Sequence, residues 1–190
     1  MTAGLILAAG AGTRFGDQPK LLAELEGRPL LEHAIRAQCA VPELERIVVV
    51  LGANAAGLLA AVDFGSAEPV ICADWRDGQA VSLRCGVEAL AGAEKVIVTL
   101  GDEPLMTPEL ISRFLDQPGG ARAVYGGRPG HPVVLGPEQM RAIERLTGDR
   151  GAAELLDGPQ IECGQQHDHG RDVDTPDDLE AIRNEARAIL

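Results

Sequence analysis

Leu7-Ala8-Ala9-Gly10-Ala11-Gly12-Thr13-Arg14-Phe15-Gly16, followed by Pro19-Lys20, runs an apolar segment straight into a turn of small residues. Small residues let backbone N–H groups close around an anion, as in a phosphate-binding nest. Arg14 would add a planar fork for phosphate oxygens and Lys20 a mobile point charge. Two familiar nucleotide loops fail on spacing. Phe15 stands where a dinucleotide fingerprint needs its third small residue, and no Gly-x-x-x-x-Gly-Lys-Ser/Thr occurs. A glycine turn by itself could merely join strand to helix. Arg14 and Lys20 at these offsets favour phosphate binding.

Two acidic points could hold a metal. Val96-Ile97-Val98-Thr99-Leu100-Gly101-Asp102-Glu103-Pro104 reads as a buried strand ending in an acid. Ligands of open α/β sheets bind at such strand ends. Asp172-Val173-Asp174-Thr175-Pro176 precedes a helix start. A hard divalent ion such as Mg²⁺ takes one or two carboxylates plus substrate phosphates. Asp102 and Asp174 would suit it. The plainer readings are a turn at Asp102 and a helix-start acid at Asp174, and for Asp174 alone the plainer reading is the better one. Glu103 adds a carboxylate whose participation is open.

The middle of the chain offers contacts rather than catalysts. In Asp74-Trp75-Arg76-Asp77-Gly78-Gln79-Ala80-Val81-Ser82, Gly78 and Ser82 could approach a base or ribose, while Trp75 reads as a packing anchor. Gly126 to Leu135 and Thr147 to Ala152 are glycine-rich turns with charged tips, so His131 and Asp149 are candidates for a second ligand or for plain surface loops. His167 and His169 read as solvated. No paired His–Asp arrangement is visible around the loop.

These residues need elements to position them. Leu5–Ala9, Ile47–Leu51, Val70–Cys72 and Val96–Leu100 are short apolar runs without alternation, expected of strands buried on both faces of a parallel sheet. Helical patterns lie between them at Pro29–Ala40, Asn54–Val62 and Gln79–Leu90. Thr107-Pro108-Glu109 and Thr175-Pro176-Asp177 are helix starts, the second leading a stripe of Leu179, Ile182, Ala186 and Ile189. Alternating strand and helix predicts an α/β sheet. Ala123–Tyr125, Pro132–Leu135 and Ile161–Cys163, broken by Gly and Pro, predict a mixed sheet with at least one antiparallel strand. No linker divides residues 1–190, so a single domain is expected.

Composition narrows the ligands. The 190 residues carry 17 basic against 29 acidic side chains, a formal charge of −12, and only 3% are aromatic. That disfavours nucleic acid polymers and anionic membrane surfaces. The four cysteines lack metal-ligand spacing, and no secretory or spanning segment is recognisable, so reduced thiols in a soluble cytoplasmic protein are expected.

The loop motif with its downstream lysine resembles the MobA-like NTP transferase superfamily of molybdopterin guanylyl- and cytidylyltransferases. Gly101-Asp102-Glu103-Pro104 and Asp172-Val173-Asp174-Thr175-Pro176 resemble its two metal signatures. Gly130-His131-Pro132-Val133 with Gly148-Asp149-Arg150-Gly151-Ala152 is similar to the acceptor half of molybdenum cofactor cytidylyltransferases. The resemblance implies a single Rossmann-like, GT-A-type, three-layer α/β/α domain with a mostly parallel mixed sheet. It implies catalytic Arg14, Lys20 and Asp102, and Mg²⁺ on Asp102 and Asp174. Nucleotide contacts would come from Leu7, Ala8, Ala9, Gly10, Gly12, Thr13, Arg14, Lys20, Gly78, Ser82 and Asp102, and acceptor contacts from His131 and Asp149. The substrates would be CTP and molybdopterin cofactor, with a molybdenum enzyme or its chaperone as recipient. Ala9 in Leu-Ala-Ala-Gly points to CTP over GTP. Guanylyl transfer, sugar-phosphate or isoprenoid-phosphate nucleotidyl transfer, and a non-catalytic cofactor carrier are the alternatives.

Overall fold

The computed structural model describes residues 1–16, 18–164 and 169–189, with side chains described as far as residue 184. His167, and Ala186 and Ile189 of the expected stripe, therefore lie outside the described side chains.

The chain opens with β1 (Thr2–Ala8), two short 3-10 turns, and the small hairpin β2 (Glu24–Leu25) and β3 (Arg28–Pro29). Then come α1 (Leu30–Cys39), β4 (Arg46–Leu51), α2 (Ala55–Ala61), β5 (Glu68–Ile71), α3 (Gln79–Ala89) and β6 (Lys95–Leu100). The remainder is α4 (Pro108–Ser112), β7 (Arg122–Tyr125), β8 (Arg128–Leu135), α5 (Pro137–Ile143), β9 (Gln160–Glu162) and α6 (Pro176–Ile189). Seven strands form one sheet in the order β5-β4-β1-β6-β8-β7-β9. β8 alone runs against its neighbours β6 and β7, and the other pairings are parallel. This is the mixed α/β sheet that the alternating elements predict.

The pleat divides the core into two layers. Ile6, Ala8, Val49, Leu51 and Ile97 face α1, α2 and α4. Their sequence neighbours Leu5, Val48, Val50, Val96 and Val98 face α3 and α5. Both faces of the central strands are covered, which is why these strands read as continuous apolar runs. One expectation fails. β5 lies at the sheet edge instead of being buried on both faces, and Ile71 is 58% exposed. Its apolar run is too short to reveal that a strand flanks only one side. Two elements give no clear signal in the sequence: the β2–β3 hairpin and α5, whose first turn is built on Gly136-Pro137.

Strand order sets the site. β4 lies on one side of β1 and β6, reached from β5, on the other, so the direction of strand addition reverses at β1. A crevice opens at the carboxyl ends of β1 and β6, where such sheets bind ligands. Helix α3 flanks the crevice and is held close to the sheet at Gly86. A Cβ there would lie 2.4 Å from Leu5 Cδ1 and 2.9 Å from Val50 Cγ2. Gly86→Ala gains about 1 kcal/mol of helix propensity, but overpacking a filled core costs about 1–3 kcal/mol. The buried, sheet-held Leu5 cannot yield freely, so the second effect wins. Urea unfolding of Gly86→Ala is expected to show a lower midpoint at unchanged slope.

Candidate active site

Glycine backbone geometry shapes the loop after β1. Gly12 adopts φ 59° and leads into a single 3-10 turn, Thr13–Phe15. A side chain at Gly12 would sit 3.0 Å from Lys20 Cβ, so the missing Cβ lets the Lys20 stem pass beneath the loop. Phe15 is buried with Leu25, Leu30, Val173 and Leu179, which fixes the far end of the turn to the C-terminal segment. Leu7 O accepts from Gly101 N at 3.0 Å, so the loop and the end of β6 start from adjacent backbone.

Four charged groups meet in the crevice. Lys20 Nζ donates to Asp102 Oδ2 at 2.6 Å and to Asp174 Oδ1 at 3.2 Å. Arg14 Nη2 lies 2.8 Å from Asp174 Oδ2. Lys20 is buried, and burial would lower its pKa, but the Asp102 and Asp174 charges and hydrogen bonds more than compensate and raise it. Asp174 reaches this place because Val173 is fully buried and its N–H donates to Asp102 O at 2.9 Å. The helix-start reading belongs to its neighbours. Thr175 and Asp178 cap α6 reciprocally: Asp178 N donates to Thr175 Oγ1, and Asp178 Oδ2 accepts from Asp174 N, Thr175 N and Thr175 Oγ1. That leaves the Asp174 carboxylate free to face the crevice.

A cleft of about 690 Å³ extends from this cluster. Leu7, Ala9, Gly10 and Asp102 form one wall, and Gly78, Ser82 and Asp149 another. Gly78 has φ 113°, and a Cβ there would lie 2.3 Å from Gly148 O. Its role is close approach, completed by Ala80 N donating to Gly148 O at 3.1 Å, and it brings Asp149 to the cleft rather than to His131. Trp75 packs against Gly52, as an anchor should, and also lines the cleft, with Arg76 stacked 4.5 Å from its ring centroid. Ala8, Gly12 and Lys20 line a small recess beneath the loop, whereas Thr13 is exposed.

His131 stands apart from Asp149. β7 and β8 slip register between Ala123↔Gly130 and Arg122↔Val133, so His131 and Pro132 are extra residues in a bulge that re-aims the imidazole. Its Nδ1 lies 3.1 Å from Glu103 Oε1, and Tyr125 Oη donates to its carbonyl at 2.6 Å. Glu103 is buried, and its Oε2 has no partner among the described residues. This Glu–imidazole pair is not legible in the sequence. Pairing across 28 residues and a bulge leaves no spacing to recognise. The solvated reading of His169 is corrected: the residue is half-buried, with Nδ1 3.1 Å from Leu105 O.

Two carboxylates supply only oxygen donors, a set suited to a hard cation that keeps water and substrate phosphates as its other ligands. Among the described residues no group of three or more His, Cys, Asp or Glu side chains gathers for a metal. A glycine loop, two acids and two cations at the crevice of an α/β sheet mark the class of enzymes that handle nucleoside triphosphates.

The MobA-like NTP transferase domain matches residues 4–169, and the chain belongs to that family. Nicotine blue oxidoreductase of Paenarthrobacter nicotinovorans is 32% identical, with 93% of each chain covered. 2-C-methyl-D-erythritol 4-phosphate cytidylyltransferase of Cereibacter sphaeroides is 41% identical over 65% of this chain and 58% of its own length. Rv0371c of Mycobacterium tuberculosis H37Rv, solved in complex with manganese, superposes with a TM-score of 0.78 at 24% identity, covering 96% of this chain and 98% of that one. The chain is a nucleotidyltransferase of this family. No helix among the described residues is long and apolar enough to cross a membrane.

The His131–Glu103 pair carries a pH signature. Burial would lower the His131 pKa; the Glu103 charge and hydrogen bond, with a smaller push from Asp102, raise it above 6.5 against the opposing charge of Arg122. A folded pKa above the unfolded one stabilises fully below the unfolded value, and that stabilisation fades as pH rises through the folded value. The loss of unfolding free energy in His131→Gln is expected to be largest below pH 6.5 and to shrink at higher pH. Denaturation series from pH 5 to 9 measure it.

Proposed function

We propose that the chain transfers CMP from CTP to the terminal phosphate of the molybdopterin cofactor, releasing pyrophosphate. The carrying observation is the meeting of Asp102, Asp174, Lys20 and Arg14 at the mouth of the glycine loop. Such a cluster suits a polyphosphate and its counter-ion better than a neutral ligand.

Asp102 and Asp174 would hold Mg²⁺, and a neighbour solved with manganese supports a divalent ion. The ion, when bound, supplies charge neutralisation on the phosphates. The remaining work falls to the chain's own residues. The loop N–H groups from Ala8 to Thr13 wrap the triphosphate, Arg14 and Lys20 take charge from the leaving pyrophosphate, and Gly78 and Ser82 approach the nucleoside. A phosphate nucleophile is already ionised, so in-line attack needs positioning and charge stabilisation more than proton transfer. Ala9 in Leu-Ala-Ala-Gly and the identity shared with a cytidylyltransferase favour CTP. A molybdenum enzyme would receive the product in the cytoplasm, and residues 1–190 would act as one unit.

The test is pyrophosphate release with Mg²⁺, each NTP in turn and molybdopterin. Release with CTP supports the reading. Release only with GTP moves it to guanylyl transfer, and release only with sugar or isoprenoid phosphates replaces the acceptor. Cofactor binding without release favours a carrier. Asp102→Ala and Asp174→Ala are each expected to lower turnover by about 10²–10³, the usual loss for one electrostatic contact to a transition state, with circular dichroism unchanged.

A further inference from the structure

Helix α3 begins at the cleft, with Gly78 as its N-cap and Gln79 and Ser82 in its first turn. A glycine cap has no side chain for the free N–H groups there. One of them is satisfied from a distant part of the chain: Ala80 N donates to Gly148 O at 3.1 Å. Helix α5 has the opposite need at its far end, where the last carbonyls lack helical donors. Arg84, one turn along α3 from Ala80, supplies a donor. Its Nη2 donates to Leu146 O at 2.7 Å, in the turn that follows α5. The two helices thus cap each other through the segment between Leu146 and Gly148.

That segment sets where Asp149 stands. Leu146 is buried in the same layer as Leu83 and Ile143. Residues 147–150 are exposed, so burial does not hold the tip of the loop, and the hydrogen bonds must. The fit leaves little slack. A Cβ on Gly78 would lie 2.3 Å from Gly148 O, and one on Gly151 would lie 2.4 Å from Gln79 Oε1. Asp149 sits between those two contacts and lines the cleft, whereas Arg84 lies outside the cleft lining. Of the two capping bonds the guanidinium's is the stronger, because a charged donor bonds about twice as strongly as a neutral one. Its positive charge also suits the negative end of α5.

We propose that Arg84 is a positioning residue of the cleft: by holding Leu146 from behind, it seats Asp149 against the nucleoside end of the ligand. A carboxylate has only acceptors, so Asp149 suits ribose hydroxyls and the amino group of a base, not phosphate oxygens. The proposal rests on the nucleotidyl-transfer reading only for naming the ligand. The seating of Asp149 stands without it.

Arg84→Met keeps the apolar stem and removes the donor, and Arg84→Lys restores one. Amide exchange on the unliganded full chain reads the capping directly. In Arg84→Met the Ala80 amide is expected to exchange at least about tenfold faster while β1 and β6 stay protected, and Arg84→Lys should recover part of the protection. Calorimetry without acceptor reads the cleft. CTP in Mg²⁺ is expected to bind Arg84→Met about tenfold more weakly, as for one lost hydrogen bond. Tripolyphosphate, which has no nucleoside, should bind as before. Asp149→Ala should weaken CTP to the same degree, and the double variant should bind no more weakly than either single one, since residues acting through one another are not additive. If Arg84→Met unfolds, Arg84→Gln carries the same comparison. Unchanged Ala80 exchange, equal loss of CTP and tripolyphosphate, or additive losses in the double variant overturns the proposal and leaves the nucleotide reading standing. If the unaltered chain binds no NTP while Ala80 exchange is accelerated in Arg84→Met, the nucleotide reading falls and the seating of Asp149 by Arg84 stands.

Discussion

One ammonium joins the crevice end of this molecule. Lys20 Nζ touches carboxylates that stand 82 and 154 residues further along the chain. Each contact depends on a different part of the fold. Lys20 gets there because Gly12 has no side chain to block its stem. Asp102 gets there because β1 and β6 are neighbours and end together. Asp174 gets there because Val173 is locked to the end of β6 and α6 is capped without it. Removing the lysine would leave two carboxylates facing each other in a partly desolvated crevice. Losing one partner of such a pair costs about 3–5 kcal/mol when burial is complete, and less here, because the aspartates keep 22% and 25% of their side-chain surface.

On the proposed reading, the same bond would set the lysine against a divalent cation. Asp102 Oδ2 and Asp174 Oδ1 are engaged by Lys20, and Asp174 Oδ2 by Arg14. A cation bound through those oxygens would compete with the ammonium, and substrate phosphates would offer the ammonium a new partner. Nucleotide and metal would then be coupled through one side chain, and such a coupling would act equally in both directions. The glycine loop keeps Lys20 and Arg14 within reach of both sets of oxygens.

How much of this is legible in the sequence differs by element. The central strands and α1, α3 and α6 are, because two-sided burial and helix-start residues leave local signals. So are the loop, Asp102 and Asp174 as a set, through spacing and resemblance. What is hidden is decided by distant partners. Ile71 reads like Val49 until its strand turns out to lie at the edge. Glu103 and His131 meet only because β8 bulges beside β6. Gly78 and Gly148 read as ligand loops, yet each also serves the packing of one loop on the other. Arg122 carries no signal at all. Its place in one cavity with His131 follows from strand order.

The fold alone does not choose the chemistry. A relative matched along nearly its whole length bears the name of an oxidoreductase, and another that of a cytidylyltransferase. Sites grafted on one framework differ in that way. What distinguishes the site in this chain is how it distributes charge within a protein of net −12. Most of the acids are spread over the surface, where water screens them. At the crevice two of them are neutralised by Lys20 and Arg14, which leaves a balanced cluster. Beyond it, a second cavity of about 190 Å³ is lined by Arg122 and His131 and, among the described residues, by no carboxylate. On the proposed reading, two anionic substrates would approach one another inside an acidic protein, with Leu7 and Gln79 lining the space of each.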